Sequence, residues 1–150
     1  MSHLDVRNAA LKPLYDLILS GGLIGIDGAL TAENLSLPND DFDPSGMGSF
    51  VTFDVIGDTY GSLGQGATSS DILRPIAQVS VYCTAGNKGT KDIRSREMVD
   101  AIMGVYTNNS TTNYGNITLE IISGSINAPR NNGAWFVIDI TINFETYLDR

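Results

Sequence analysis

The sequence predicts an α+β domain, a mixed and mainly antiparallel sheet of about five strands with an amphipathic helix packed on one face, in the order α-β-β-β-α-β-β. Three observations carry that reading. Two long segments, 49–58 and 72–84, alternate apolar and polar residues with the period of two that marks half-buried strands. Segment 91–106 carries Val99, Ile102, Met103 and Tyr106 at i, i+3, i+4 and i+7, the spacing of one helix face. Sixteen glycines and many Asn, Ser and Thr residues supply the turns that a sheet of short connections needs. At 150 residues the chain is read as a single domain, 1–150, and 42% hydrophobic against 17% charged residues suits a packed globule, not a disordered chain.

Taken in order, segment 4–19 places Val6, Ala10, Leu14, Leu17 and Ile18 at helical spacing, and Pro13 is expected to break or bend that helix because its ring removes a backbone donor. Gly21-Gly22 ends it. Leu30-Thr31-Ala32-Glu33-Asn34 reads as a short strand, followed by the acidic, proline-flanked loop 38–44. In 49–58, Phe50, Thr52 and Asp54 alternate with Val51, Phe53 and Val55. In 72–84, Ile76, Gln78, Ser80 and Tyr82 alternate with Ala77, Val79, Val81 and Cys83. The connection 59–71 holds Gly61, Gly64 and Gly66 without an apolar cluster, so it is expected to be a long, mobile hairpin loop. Thr90 can cap the second helix, with Asp92 favourable in its first turn and Arg96 four residues beyond it. Residues 108–115 read as a polar turn, and 117–126 and 134–147 as two more strands. In the last of these Phe136, Ile138, Ile140, Ile142 and Phe144 line one face while Asp139, Thr141 and Asn143 point away, so one side packs on helices and the other meets solvent or a neighbour.

Nothing in the sequence builds a catalytic centre. The one histidine, His3, lies close to the N-terminus, so no triad has a placed imidazole. Cys83 falls inside a strand pattern, where it reads as a small buried hydrophobe; a single cysteine forms no intrachain disulfide, and the cytosol is the simplest compartment. Gly86-Asn87-Lys88-Gly89-Thr90-Lys91 precedes a helix but lacks the GxxxxGK[ST] and GxGxxG spacings, so it reads as a turn and cap, and no cofactor is expected. Asp40, Asp41 and Asp43 do not have EF-hand spacing and read as a solvated acidic loop, with no metal assigned. Trp135 reads as a core anchor, with an interface anchor as the second reading. No stretch reaches the length of a membrane span.

Charge is more telling. The net charge of −8 argues against a surface that grips nucleic acid, which needs clustered Lys and Arg. Between Pro13 and Leu73 there are nine acidic residues and no Lys or Arg, whereas Lys88, Lys91, Arg94 and Arg96 gather at the start of the second helix. One end of the molecule is therefore expected to be negative and another locally positive, which suits equally a solvated helix face beside an acidic surface and a head-to-tail contact that closes into a ring.

Three short motifs give a family resemblance. Leu30-Thr31-Ala32-Glu33-Asn34, Phe42-x-Pro44 before a long strand, and Ala77-Gln78-Val79-Ser80-Val81-Tyr82 before a glycine turn and helix resemble the bacteriophage tail terminators of the lambda U-like type. The resemblance covers most of the chain. It implies a non-enzymatic virion protein that forms a homo-oligomeric ring, expected to be a hexamer, at the head-proximal end of the tail. Its implied partners are the tail tube protein and a head-closure or neck protein, with DNA passing through the lumen without specific binding and no membrane involved. Lys88, Lys91, Arg94, Arg96, Tyr60, Gly61, Gly64, Asp40, Asp41 and Asp43 are the expected contact residues. The other readings are a different neck or tail-completion protein, or a small carbohydrate-binding module using Tyr60, Tyr114 and Trp135 as a stacking platform.

Overall fold

The computed structural model describes residues 3–38, 40–56, 60–62, 70–84 and 90–149. In chain order these form α1 (His3–Leu19), the small hairpin β1 (Ile24–Gly25) and β2 (Gly28–Ala29), a 3-10 turn (Ala32–Asn34), and strands β3 (Leu35–Ser36) and β4 (Ser49–Ile56). Strands β5 (Tyr60–Ser62), β6 (Ser70–Leu73) and β7 (Ile76–Thr84), helix α2 (Thr90–Val105), and strands β8 (Thr111–Tyr114), β9 (Ile117–Ile126), β10 (Arg130–Asn132) and β11 (Trp135–Asp149) follow. The α+β class, the helix-first order and the antiparallel bias hold, but the sheet has nine strands where the pattern suggested about five. Among the described residues only β3 and β4 pair in parallel.

The extra strands come from subdivision and from pairings that polar residues conceal. Segment 72–84 is divided at Arg74-Pro75, yet β6 and β7 face β11 in one unbroken register, from Thr84 opposite Trp135 to Ser70 opposite Asp149. Pro75 has no N–H to give the ladder, and its carbonyl still accepts from the Phe144 amide at 3.0 Å. The expected loop 59–71 is in part a strand pair, with Tyr60 opposite Leu73 and Ser62 opposite Asp71, so the β4–β7 hairpin continues into an arm. Its register differs by one residue from that of the body, where Ile56 faces Ile76. The expected polar turn 108–115 contains β8, which pairs with β9. Hairpins β8–β9 and β10–β11 each close with two residues led by glycine, Gly115 at φ 58° and Gly133 at φ 60°, the left-handed conformation that the first position of a type II′ turn demands.

Two local expectations are corrected. Leu30–Asn34 is not a strand: Thr31, Ala32, Glu33 and Asn34 close a 3-10 turn, with the Asn34 amide donating to the Thr31 carbonyl at 2.9 Å and the Asn34 side-chain oxygen accepting from the Thr31 amide at 3.0 Å. The Asn34 side chain then donates to the Ser49 carbonyl, which ties the turn to the start of β4. Pro13 does not break the first helix either, because α1 runs through it from His3 to Leu19.

That continuity has a specific cause. A proline at position 13 cannot donate to the carbonyl of Ala9, four residues back, and its ring crowds the neighbouring turn. The freed carbonyl of Ala9 finds a hydroxyl, and so does the carbonyl next to it. Thr112 of β8 donates to Ala9 O at 2.8 Å, and the Tyr106 hydroxyl donates to Ala10 O at 2.6 Å. Burial pushes the Tyr106 phenol above its ordinary range, while the Leu14 backbone works in the opposite direction.

Both helices cover the same face of the sheet. Val6, Ala9, Ala10, Leu14 and Ile18 of α1 join Met98, Val99 and Ile102 of α2 against Val51 and Phe53 of β4, Val79 and Val81 of β7, Leu119 and Ile121 of β9, and Ile138, Ile140, Ile142 and Phe144 of β11. Cys83 is fully buried in this core, as its strand position implied, between the Ser49 hydroxyl at 3.3 Å and the Met98 sulfur at 3.8 Å. Among the described residues no helix is long and apolar enough to cross a membrane.

Candidate functional site

The face turned away from the helices carries the most organised surface. Phe50 of β4 stacks on Tyr82 of β7 with ring centres 4.3 Å apart and planes 6° apart, and Trp135 meets Phe50 edge-on at 4.8 Å. Phe42, from the acidic loop, closes the cluster at 5.2 Å from Phe50. Phe50 and Val137 are buried here, apart from the main core, while Tyr82 and Trp135 remain half-buried. Trp135 is therefore not the core anchor that its residue type suggested. It starts β11 as an odd-numbered residue, and the core takes the even-numbered side chains of that strand.

Beside the aromatic cluster lies a polar network. Arg130 of β10 grips Asp139 of β11 through two nitrogens, at 2.9 and 3.4 Å, and the Ser80 hydroxyl donates to the same carboxylate at 2.5 Å. Burial pushes the Asp139 carboxyl up, but the hydrogen bonds from Arg130 and Ser80 outweigh it and hold the group below the usual carboxylate range. The neighbouring positions on this face, Thr52, Gln78, Thr141 and Asn143, are uncharged and polar.

The expected contact residues distribute as follows. Asp40, Asp41 and Asp43 flank Phe42 and so are brought to the rim of the aromatic cluster. Asp40 accepts from the Leu37 amide at 3.3 Å, and Asp43 accepts from Ser45, whose hydroxyl and amide hold its carboxyl below the ordinary range. These carboxylates bond their own loop's backbone, and among the described residues no group of three His, Cys, Asp or Glu side chains is placed to share a metal ion. In α2, Arg94 pairs with Glu97 at 3.0 Å and Arg96 with Asp92 at 2.9 Å. Arg94 and Arg96 are thus each paired with a carboxylate of their own helix, and the side chain of Lys91 lies outside the described residues. Tyr60 and Gly61 belong to β5 in the hairpin arm, at the other end of the sheet from the aromatic cluster. Lys88 and Gly64 lie outside the described residues.

The acidic loop and the start of α2 lie toward the same end of the sheet, where β4 begins and β7 ends, but on opposite faces. The two segments are thus separated by face, not by opposite ends of the sheet. A stacking platform of Tyr114 and Trp135 is not formed, since Trp135 opens β11 and Tyr114 sits beyond the other end of its pairing with β9.

Sequence reasoning passed over one surface. Between α1 and the β8–β9 hairpin, Asn8, Leu11, Lys12, Tyr15, Asp16 and Tyr114 line a groove of about 420 Å³. Tyr15 and Tyr114 are 39% and 46% exposed, a large aromatic area to leave in water. Its signal was Leu11 and Tyr15, four residues apart along α1 at the edge of the stripe that carries Val6, Ala10 and Leu14 into the core.

No protein-family model matches the chain, and no curated protein matches its sequence. Solved structures do share its fold. A protein carrying no functional name superimposes over 97% of this chain and 95% of its own, with a TM-score of 0.66 and 20% identity. A chain from the virion of a native gene transfer agent particle superimposes over 99% of this chain and all of its own, with a TM-score of 0.51 and 11% identity. At these identities the likeness is one of fold, and it extends over 95% or more of each partner.

Proposed function

We propose that this chain is a structural protein of a phage-like virion, and that it acts as a tail terminator. On this reading copies form a ring, a hexamer, that caps the head-proximal end of the tail tube, stops its growth and offers a docking face to a head-closure or neck protein. The carrying observation is the end-to-end superposition on a chain of the gene transfer agent virion, which leaves no unmatched catalytic insertion. The three motifs at Leu30–Asn34, Phe42-x-Pro44 and Ala77–Tyr82 favour the terminator over other tail and neck proteins.

The physical features agree with an assembly part. Residues 13–73 contain no Lys or Arg, so a lumen wall drawn from them repels DNA and lets a genome pass without sticking. The Cys83 thiol is buried in the core, where substrate has no access. Virion particles assembled without this chain test the reading: tails of uncontrolled length, or tails that fail to join heads, are expected. Normal tails joined to heads in its absence overturn it.

A further inference from the structure

We propose that copies of this chain associate head to tail through the two borders of the sheet, the acidic border at β3 and β4 of one copy meeting the α1–β8 border of the next, with Lys12 as the receiving cation. This rests on the ring-forming reading above and assigns the contact to surfaces other than the basic start of α2.

The order of strands across the body is β3, β4, β7, β11, β9, β8, because β11 pairs with β7 along one edge and with β9 along the other. The two borders are therefore different surfaces. At the first, β3 pairs with β4 at Val51 and Thr52, and among the described residues 53–56 have no strand partner on that edge, beside a groove whose lining includes Ser36, Leu37, Pro38, Asp54 and Gln78. Asp54 lines it, Asp40 accepts from the Leu37 amide in its wall, Glu33 and Asp41 are exposed close by in sequence, and no Lys or Arg occurs in that part of the chain. An open edge wants a partner, and acidic surroundings select a cationic one.

The second border supplies that partner. Most described cations are already engaged inside the protomer: Arg74 with Glu145, Arg94 with Glu97, Arg96 with Asp92, and Arg130 with Asp139. Arg7 donates to the Asn8 side chain and has its Nε buried. Lys12 is exposed, and among the described residues it makes no ion pair. It stands at the groove of Leu11, Tyr15 and Tyr114, whose apolar walls suit Leu37 and Pro38 at the lip of the acidic border. Acidic border against acidic border repels, so a two-fold contact there is disfavoured. Pairing unlike borders is heterologous and repeats around a ring.

Carbodiimide coupling tests the contact, since it condenses a lysine amine with a carboxylate into an amide, with water taken up as the urea by-product, only where the two groups touch. The full chain, mixed from light and isotopically heavy copies and coupled free in solution and on tail tubes, is expected to yield inter-copy peptides joining Lys12 to Asp40, Asp41 or Asp54. Lys12→Glu is expected to weaken association about tenfold, equivalent to about 1.4 kcal/mol. Asp41→Lys with Asp54→Lys should do the same, and all three changes together should restore it. Unfolding temperature should stay within about 2 °C, because exposed charges contribute little to folding. Rings that form unchanged with Lys12→Glu, together with no Lys12 cross-link in the unaltered chain, overturn this contact and leave the terminator reading intact. Cross-linked chains that never close or cap a tube keep the contact and overturn the ring. Absence of association and of cross-links under both conditions overturns both.

Discussion

Replacing Thr112 with valine removes a hydroxyl while keeping the shape of the side chain, and the structure says which group loses its partner. Thr112 is 5% exposed, and its hydroxyl is 2.8 Å from the Ala9 carbonyl, which Pro13 deprives of a helical donor. A buried carbonyl left without a partner costs about 1–3 kcal/mol, so Thr112→Val should destabilise by that amount and lower the unfolding temperature by roughly 3–10 °C for a domain of this size. The decisive measurement is a double-mutant cycle with Pro13→Ala, read by urea unfolding at constant m-value. Alanine at position 13 restores an amide that can reach the Ala9 carbonyl, so the same Thr112→Val change should then cost under about 1 kcal/mol. Equal costs with and without Pro13 would refute the idea that β8 repairs α1. A cost near zero in the native background would refute it more simply, since the carbonyl would then have found another donor.

Two further predictions follow from other parts of the fold. Asp139 has its folded pKa below the ordinary value, so its stabilising contribution is complete above about pH 4 and is lost as pH falls through the depressed value; Asp139→Asn should flatten that acid limb in unfolding curves between about pH 2 and 4. Gly25→Ala would place a methyl 2.6 Å from Ser49 Cβ and 2.8 Å from Leu30 Cδ1, so overpacking of about 1–3 kcal/mol is expected by calorimetry, and an unchanged melting temperature would mean that the β1–β2 hairpin yields freely.

The parts of the fold that were legible in the sequence are those in which one face is buried continuously. Helix α2 and strand β11 were readable because Val99, Ile102 and Tyr106, and Ile138, Ile140, Ile142 and Phe144, all report a single buried face. Pro13 was misread for the opposite reason. Its cost depends on whether distant hydroxyls reach the carbonyls of the preceding turn, and Tyr106 and Thr112 lie 96 and 103 residues from their acceptors. Thr31–Asn34 carried a local signal, an Asn three residues after a Thr at a turn start, but alternation in the same stretch imitated a strand. Strand β8 was hidden by polar residues, since only Thr112 of its four is buried. Of the contact residues, the acidic loop was placed by Phe42, which sequence alone could not anchor to Phe50. Lys12 was passed over because its neighbours on α1 include Asp16, and only pairing elsewhere in the structure shows that, among the described residues, it makes no ion pair while the arginines of α2 do.

Net charge and local charge act at different ranges, and the difference bears on how assembly is controlled. Two copies at −8 each repel at long range, yet at physiological salt that repulsion is screened beyond about 8 Å. Within that distance the specific arrangement decides, and a lysine among several carboxylates attracts where the averaged charge repels. Exposed pairs of this kind contribute only up to about 1 kcal/mol each, so the proposed contact alone does not hold free copies together at low concentration. A tube end that presents six equivalent seats, as the ring reading requires, raises the effective concentration of neighbours and makes the same weak contact sufficient. On that reading a weak border contact brings copies together only transiently in dilute solution, and the tube end is where it closes them into a lasting ring.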